Sequence, residues 1–371
     1  MNICIDLTPL YDHLTGIERY NLNITKHLIQ ISKKDNFVLI FKNKIHEDFT
    51  EICRKENVRY IILPECNKLV FIQIRLYRAL KKIKADYYLF LSFTSPILFR
   101  NRRIVNAIHD LTCWDCPESL TKKMVYYYRL TYYIACKYSW KIVTVSKFSQ
   151  KRICDKYNLT HDRVPIIYDG LADVFKKIHN EESECLKKYH VPEEYILSVS
   201  TIEPRKNIQL LIEAYSELIQ EGMYIPDLVL AGRKGWKVDE IVSNISEDTK
   251  GKIHFTGFIE DNDLPYLYYR SKVFVFPSKY EGFGLPIIEA LSQGAVVVCS
   301  DAASLPEVAG SIGIIFESNC KEDLKKKILS SISISKTAEY VENAVALANK
   351  YNWEKEAEKL YELMRNDIKN V

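Results

Sequence analysis

The sequence predicts an α/β protein made of two doubly wound domains, each with a parallel sheet covered by helices on both faces. The chain has 371 residues, which exceeds the usual size of one domain. Short apolar strand-like runs alternate with helical stretches, and this alternation occurs twice along the chain. A polar segment at 171–192 interrupts the pattern and is the best candidate for a linker.

Six runs in the first half have the β-branched and aromatic composition that is typical of buried strands. They are NICIDL (2–7), FVLIFK (37–42), VRYIIL (58–63), DYYLFL (86–91), RIVNAIHD (103–110) and KIVTVS (141–146). Helical periodicity lies between them, most clearly at 16–32 and 68–84. Because strands that alternate with helices usually pair in parallel, we expect one parallel sheet here.

The second half repeats the pattern with YILSVS (195–200), DLVLAG (227–232), KIHFTG (252–257), VFVFPS (273–278), AVVVCS (295–300) and GIIF (313–316). Its helices are expected at 207–221, 262–270, 286–293, 321–330 and 353–369. We therefore expect domains over 1–178 and 190–350, with a C-terminal helix (351–371) that returns to the first domain. Ligands of such sheets bind at the carboxyl ends of the strands, and we expect them in the cleft between the domains.

The charge distribution and the cysteine content indicate the surroundings in which the protein acts. Residues 1–180 hold 30 Lys and Arg against 17 Asp and Glu, a net +13, whereas residues 181–371 hold 22 against 31, a net −9. A basic half of this kind favours contact with an anionic surface. Neither a membrane-spanning helix nor a signal peptide is expected, and ten scattered cysteines favour a reducing compartment, here the cytoplasm. The Cys113 and Cys116 pair lacks the additional ligands that a zinc site needs.

A glycine turn in the second half offers an anion site of its own. The fingerprints G-x-G-x-x-G and G-x-x-x-x-G-K-[ST] are both missing, which argues against classical dinucleotide oxidoreductases and P-loop enzymes. In KYEGFGLPIIEALSQG (279–294), Pro286 suits the first helical position. We expect the backbone amides of Gly284, Leu285 and Ile287 to point at an anion, assisted by the helix dipole.

Two carboxylates flank this turn. Glu289 lies about one turn inside the expected helix and can accept two hydrogen bonds from a diol such as ribose. Glu281 lies before the turn, where it would face the group that hangs from a bound phosphate. The arrangement suits a sugar-diphosphate-nucleoside, with one carboxylate at each end and backbone amides between them.

These residues resemble a known family. EGFGLPIIE (281–289) is similar to the Glu-x7-Glu signature of the family 4 retaining glycosyltransferases, which have the GT-B fold of two Rossmann-like domains facing a central cleft. The resemblance covers nearly the whole chain in the expected order. Its other segments are GIERY (16–20), AIHDL (107–111), TVSKFSQKRI (144–153), IIYDGLADVF (166–175), ILSVSTIEPRKNIQLLIEAY (196–215), LVLAGRKGW (228–236), IHFTGFIEDNDLPYLY (253–268) and SDAASLPEVAG (300–310).

The resemblance implies roles for the matching residues of the second domain. Arg205 and Lys206 would grip the donor diphosphate, with Gly284 and Leu285 as further donor-binding residues. Glu289 would hold the ribose hydroxyls. Glu281 would be catalytic, because it would contact the transferred sugar and stabilise positive charge at the anomeric carbon.

In the first domain, the resemblance implies that Gly16 lets the first loop approach the donor and that His109, a second catalytic candidate, contacts a sugar hydroxyl. Asp110 is expected to cap its loop. The family's chemistry implies retention by a front-face displacement, in which the leaving diphosphate helps to deprotonate the acceptor. The Asp-Asn-Asp run at 261–263 is expected to cap a helix, so transfer is expected to be metal-independent and to need no cofactor.

The family further implies a nucleotide-sugar donor, with GDP-mannose favoured, and a lipid-linked or oligosaccharide acceptor in the assembly of a surface polysaccharide such as O-antigen or capsule. UDP-glucose, UDP-N-acetylglucosamine and dTDP-linked sugars remain alternatives. Basic and aromatic residues mix at 68–84 and 122–141, which favours peripheral docking on the anionic inner face of the cytoplasmic membrane.

Two other functions stay open from the residues alone. The basic first half, rich in tyrosine, would suit a nucleic-acid-binding protein, although no RNA-binding signature occurs and nucleic acid is not the expected partner. A nucleotide-sugar epimerase of the same two-domain shape would use a similar donor site.

Overall fold

A computed structural model describes residues 1–11, 14–179, 184–233, 235 and 247–369. The chain forms two compact units. Unit 1 comprises Met1–Gly170 and Asn352–Val371, and unit 2 comprises Leu171–Tyr351. The first boundary therefore precedes the expected position at residue 178.

Unit 1 is built on a six-stranded parallel sheet. Its strands are β1 (Asn2–Asp6), β2 (Asn36–Lys42), β3 (Val58–Leu63), β4 (Tyr87–Phe90), β5 (Ile104–Ala107) and β6 (Lys141–Val143). Its first helices are α1 (Gly16–Ile31), α2 (68–80, with a π-helical turn over Phe71–Leu76), α3 (Thr112–Asp115), α4 (Lys122–Tyr138) and α5 (Lys147–Tyr157).

Unit 2 repeats this architecture. Its strands are β7 (Tyr195–Val199), β8 (Asp227–Ala231), β9 (Ile253–Gly257), β10 (Val273–Phe276), β11 (Val297–Ser300) and β12 (Ile314–Phe316). Its helices are α6 (Cys185–Lys188), α7 (Ile208–Gln220), α8 (Glu247–Lys250), α9 (Leu264–Arg270), α10 (Leu285–Ser292), α11 (Leu305–Ala309), α12 (Lys321–Ile332) and α13 (Ala338–Ala348).

The two sheets share one strand order, β3-β2-β1-β4-β5-β6 in unit 1 and β12-β11-β10-β7-β8-β9 in unit 2. In each, the chain runs outward from the first strand and then returns to its other side. The switch points therefore lie between β1 and β4 and between β7 and β10. Helices leave neighbouring strands there in opposite directions, which opens a crevice at the carboxyl edge. The expected class of two doubly wound parallel-sheet domains is confirmed.

All twelve strands lie where the sequence predicts them, because each is a short run rich in apolar residues, and the central strands are buried on both faces. Several helix bounds differ from the prediction. The helix expected at 68–84 ends at Leu80, and the stretch 122–141 splits into α4 and the start of β6. The expected linker at 171–192 contains α6, and its first part packs within unit 2, where Gln293 donates to the Phe175 carbonyl at 3.1 Å.

The C-terminal helix, α14 (Trp353–Lys369), packs against α1 within unit 1. Its apolar stripe is fully buried, at Ala357, Leu360 and Met364. Polar contacts fix its register, since the Tyr168 amide donates to Glu356 at 3.0 Å and the Tyr87 hydroxyl donates to the Met364 carbonyl at 2.7 Å. Among the described residues, no helix is both long enough and apolar enough to cross a bilayer.

Candidate active site

The carboxyl edge of the unit 2 sheet gathers the charged residues that the sequence singled out. Arg205 and Lys206 lie in the single 3-10 turn Pro204–Lys206 that follows β7, and Glu281 lies between β10 and α10. Because β7 and β10 are neighbours at the switch point, residues far apart in the chain meet at this edge. The structure therefore brings these three residues together.

Glu281 is the centre of the cluster. Lys206 Nζ lies 2.5 Å from Glu281 Oε1, and Arg205 Nη1 lies 3.0 Å from Oε2. The Ser278 hydroxyl donates to Oε1 at 2.6 Å. Arg205 also donates from Nη2 to Glu203 Oε1 at 2.9 Å. Two cations and two carboxylates thus form one partly buried network, in which the buried Glu281 carboxylate holds both cations in place.

The cations set the protonation state of this carboxylate. Burial raises the pKa of Glu281, but Lys206 and Arg205 outweigh burial and lower that pKa to about 2. Burial lowers the pKa of Lys206, an effect that the Glu281 charge opposes and Arg205 reinforces. Glu281 is therefore ionised throughout the physiological range, and it is available to stabilise positive charge but not to donate a proton.

The turn that follows Glu281 has the geometry that needs glycine. Gly284 has a φ of 114°, and a Cβ at this position would lie 2.9 Å from Leu305 Cδ2. Helix α10 begins at Leu285, so Pro286 is its second residue rather than its first. The Ile287 amide donates to the Gly284 carbonyl at 2.9 Å and is not available to an anion, which corrects that part of the prediction.

Two backbone donors remain at this helix start. In the described part of the chain, the amides of Gly284 and Leu285 have no hydrogen-bond acceptor. Unpaired amides at a helix N-terminus are a general anion-binding feature.

Glu289 lies inside α10 and is buried. It accepts a hydrogen bond at 3.1 Å from the hydroxyl of Tyr268, which lies on α9. A carboxylate can accept several hydrogen bonds, and this contact helps to fix the orientation of the Glu289 side chain. The contact with ribose stays a prediction.

At the carboxyl edge of the unit 1 sheet, His109 is buried just beyond β5. Its Nε2 lies 2.9 Å from the Leu91 carbonyl oxygen, beside the end of β4. Because a carbonyl can only accept, Nε2 carries the proton and Nδ1 is left as an acceptor. Burial also lowers the pKa of His109, so the ring is neutral near pH 7. Such a ring can accept a hydrogen bond from a hydroxyl.

Two further residues of unit 1 were singled out by the sequence, namely Gly16 and Asp110. Gly16 is the exposed first residue of α1, after a capping box formed by Thr15 and Glu18. Its approach to a donor stays a prediction. Asp110 accepts the Thr112 amide at 2.8 Å and so caps its loop, as expected.

The last aspartate of the Asp-Asn-Asp run does not form the expected helix cap. Asp263 immediately precedes α9, but its side chain does not cap that helix. It instead accepts hydrogen bonds from Lys188 at 2.7 Å and Tyr189 at 2.8 Å, because α6 packs beside it. Within the described ranges, no cluster of three or more His, Cys, Asp or Glu side chains could hold a metal ion. Metal independence stays a prediction.

Sequence reasoning missed three contributors, namely Ser278, Tyr268 and Glu203. Ser278 could have been found, since it is a polar residue placed directly after a buried strand at the carboxyl edge. Tyr268 gave no such signal, because it fits the apolar face of α9 equally well.

Comparisons with known proteins bear on this geometry. The family described as "Glycosyltransferase Family 4" matches residues 14–173, and "Glycosyl transferases group 1" matches residues 186–348. The chain is 32% identical to O-antigen chain mannosyltransferase B of Escherichia coli, over 95% of this chain and 97% of that protein. The chain is a family 4 glycosyltransferase.

Other similarities concern part of a relative or the fold alone. This glycosyltransferase is 35% identical to serotype-specific mannosyltransferase WbdA of Escherichia coli over 57% of its own length and 27% of that protein. Its fold is similar to the crystal structure of Anabaena Alr3699/HepE in complex with UDP and glucose, with a TM-score of 0.73 and 16% identity over 99% and 100% of the two chains. The GT-B fold is thereby confirmed. Neither the nucleic-acid-binding nor the epimerase hypothesis gains support.

Proposed function

We propose that this glycosyltransferase moves mannose from GDP-mannose to a lipid-linked or oligosaccharide acceptor during surface polysaccharide assembly, with retention of configuration and without a metal ion. The observation that carries the proposal is the network at the switch point of unit 2. Arg205 and Lys206 converge on Glu281 there, next to the amides of Gly284 and Leu285. A sugar-nucleotide diphosphate needs this combination of cations and backbone donors.

The network supports departure of the diphosphate without a metal. Arg205 and Lys206 would neutralise the charge that develops on the leaving oxygen, a task that a divalent cation performs elsewhere. The Glu281 carboxylate, already ionised, would face positive charge at the anomeric carbon. The other carboxylate of the network, Glu203, is paired with Arg205, so we infer a front-face displacement rather than a covalent glycosyl intermediate.

Mannose and the polysaccharide context rest on the named relatives. O-antigen chain mannosyltransferase B, WbdA and RfbU are all named as mannosyltransferases. UDP-linked sugars are the main alternative, because the similar HepE structure holds UDP.

Thermal-shift screening with GDP-mannose, UDP-glucose, UDP-N-acetylglucosamine and a dTDP-sugar tests the donor. We expect the largest stabilisation with GDP-mannose, unchanged in the presence of EDTA. NMR of the product formed with an O-antigen oligosaccharide acceptor should reveal an α-linked mannose. Stabilisation by a UDP-sugar alone would replace the proposed donor, and loss of activity with EDTA would refute metal independence.

A surface of unit 1 supports peripheral membrane docking. Large apolar side chains are exposed on α2 and α4, which the Gln73–Tyr127 hydrogen bond joins at 3.4 Å. These side chains are Leu69, Val70, Ile74, Met124, Tyr126, Leu130, Tyr133 and Tyr138. Exposed Lys68, Lys122 and Lys123 accompany them. Apolar groups surrounded by cations suit an anionic bilayer.

Liposome flotation tests this docking surface. We expect the protein to float with vesicles that contain anionic lipid. With neutral vesicles, it should stay unbound at the bottom of the gradient. The variant Leu69→Ser/Tyr126→Ser should lose flotation while it retains the thermal shift with donor. Equal flotation of the variant and the wild type would exclude this surface.

A further inference from the structure

Three of the buried polar atoms of unit 1 that have no hydrogen-bond partner among the described residues belong to side chains that pack in one region. They are Tyr20 Oη, Asp169 Oδ1 and Trp353 Nε1. The three side chains are 0%, 5% and 5% exposed. They belong to three separate segments, namely α1, the chain just before Gly170, and the first residue of α14. Since buried polar groups are nearly always hydrogen-bonded, the cluster needs a bound molecule to satisfy it.

Contacts place the three side chains in one region. The rings of Tyr20 and Trp353 have centroids 5.9 Å apart. Gly170, which follows Asp169, lies so close to the Trp353 indole that a Cβ there would be 2.7 Å from its Cγ. The other edge of Tyr20 contacts His109, with ring centroids 4.9 Å apart. The cluster is therefore the packing layer directly behind the histidine of the candidate site.

One small molecule with both donors and acceptors can form hydrogen bonds with all three groups. Trp353 Nε1 can only donate, Tyr20 can donate and accept, and the Asp169 oxygen can accept. A water molecule satisfies such a set, because it offers two donors and two acceptors.

No cation compensates Asp169 among the groups that face it. From α14, Glu356 has the same sign of charge, and its own cation is Lys359 at 2.5 Å. From α1, Tyr20 presents a neutral phenol, and the neutral His109 ring lies beyond it. Burial, assisted by the Glu356 charge, raises the pKa of Asp169 to about 8. Burial likewise raises the pKa of Glu356.

We propose that Tyr20, Asp169 and Trp353 bind an internal water molecule, and that the protonated Asp169 carboxyl in this cluster holds the first turn of the C-terminal helix against α1. The cluster then makes the packing behind His109 sensitive to proton concentration.

The sign of the pH dependence follows from the two states. The unfolded chain loses the Asp169 proton near pH 4, whereas the folded chain keeps it until about pH 8. The protonated Asp169 therefore stabilises the folded chain fully below about pH 4. Between about pH 4 and pH 8, the folding equilibrium constant falls by up to tenfold for each pH unit.

The variant Asp169→Asn tests this dependence, because the amide has the same shape and does not titrate. We expect its melting temperature to fall less than that of the wild type between pH 6 and pH 8.5. Asp155→Asn, at an exposed position on α5, is the matched control and should follow the wild type. Identical pH profiles of Asp169→Asn and the wild type would overturn the proposal.

Two measurements on the wild type keep the proposal testable if Asp169→Asn does not fold. With ¹³C-labelled aspartate, one carboxyl carbon should titrate near pH 8, well above Asp6, whose pKa burial raises to about 6. If no aspartate titrates above pH 7, the proposal is wrong. A crystal structure should show a water molecule within hydrogen-bond distance of at least two of the three atoms, and direct pairing of the side chains would contradict the water site.

Discussion

The carboxyl edges of the two sheets differ in electrostatic character, because paired charges meet at the edge of unit 2 and a neutral imidazole lies at the edge of unit 1. Residues 181–371 are acidic overall, yet their edge concentrates Arg205 and Lys206 around one carboxylate. Residues 1–180 are basic overall, yet their edge presents the neutral His109 ring. Local ion pairing, rather than the net charge of each half of the chain, therefore sets the charge at each edge.

The largest expected effect comes from removing the central charge of the unit 2 edge. Glu281→Gln should lower kcat by about 10²- to 10³-fold, because a preorganised charge beside the reacting carbon is lost. Affinity for a nucleoside diphosphate should stay the same or improve, since Lys206 loses its carboxylate partner and Arg205 keeps only Glu203. Initial rates and calorimetry measure the two effects.

Glu203→Gln is the matched control for this change, because it removes a carboxylate from Arg205 and leaves Glu281 paired. It should retain most of the turnover. If Glu281→Gln kept the wild-type kcat, Glu281 would have no catalytic role.

The next effect concerns diphosphate binding. Arg205→Ala should weaken nucleoside diphosphate binding by about 10- to 100-fold, which corresponds to the ~1.5–3 kcal/mol of a charge-assisted hydrogen bond. Lys279→Ala removes an exposed cation from the same edge and should change affinity little. Equal losses in the two variants would mean that only overall charge matters.

A smaller effect distinguishes the ribose from the phosphates. Glu289→Ala should weaken binding of a nucleoside diphosphate by about tenfold, because two hydroxyl hydrogen bonds of about 0.7 kcal/mol each are lost. Binding of inorganic pyrophosphate, which has no ribose, should not change. Tyr268→Phe should have a weaker effect of the same kind, since it only releases the Glu289 side chain. A pyrophosphate loss equal to the nucleotide loss would refute the ribose assignment.

The smallest effect is expected at the unit 1 edge. His109→Phe should raise the KM for the sugar nucleotide by about fivefold, the value of one neutral hydrogen bond, and leave the affinity for the free nucleoside diphosphate unchanged. Because burial lowers the pKa of His109, the wild-type KM should be constant from pH 7 to pH 8.5. A KM that rises with pH in this range would show that the charged ring is the binding form.

Much of the fold was predictable, because the twelve strands are short runs rich in apolar residues and glycine turns follow several of them. Helix α13 was not predicted, since its residues are only partly buried and its periodicity is weak. The glutamate pair and the Arg-Lys pair were found from local motifs and the family resemblance. Their mutual contact depends on the adjacency of β7 and β10, which local sequence does not encode.

The details that local sequence could not supply are those set by packing. The Ile287 amide is used by its own turn, and Asp263 is used by α6 rather than by the helix it precedes. Sequence reasoning also missed the cluster of Tyr20, Asp169 and Trp353. Tyr20 and Trp353 are more than 300 positions apart, and they meet only because α14 packs in unit 1.

We propose that a donor diphosphate binds at the start of α10 beside Arg205 and Lys206. A crystal structure with a bound nucleoside diphosphate is the decisive test. We expect phosphate oxygens within hydrogen-bond distance of the Leu285 amide and of both cations, with the ribose at Glu289. A diphosphate bound elsewhere, with the Glu281 network unchanged and the α10 amides without a phosphate contact, would refute this binding site.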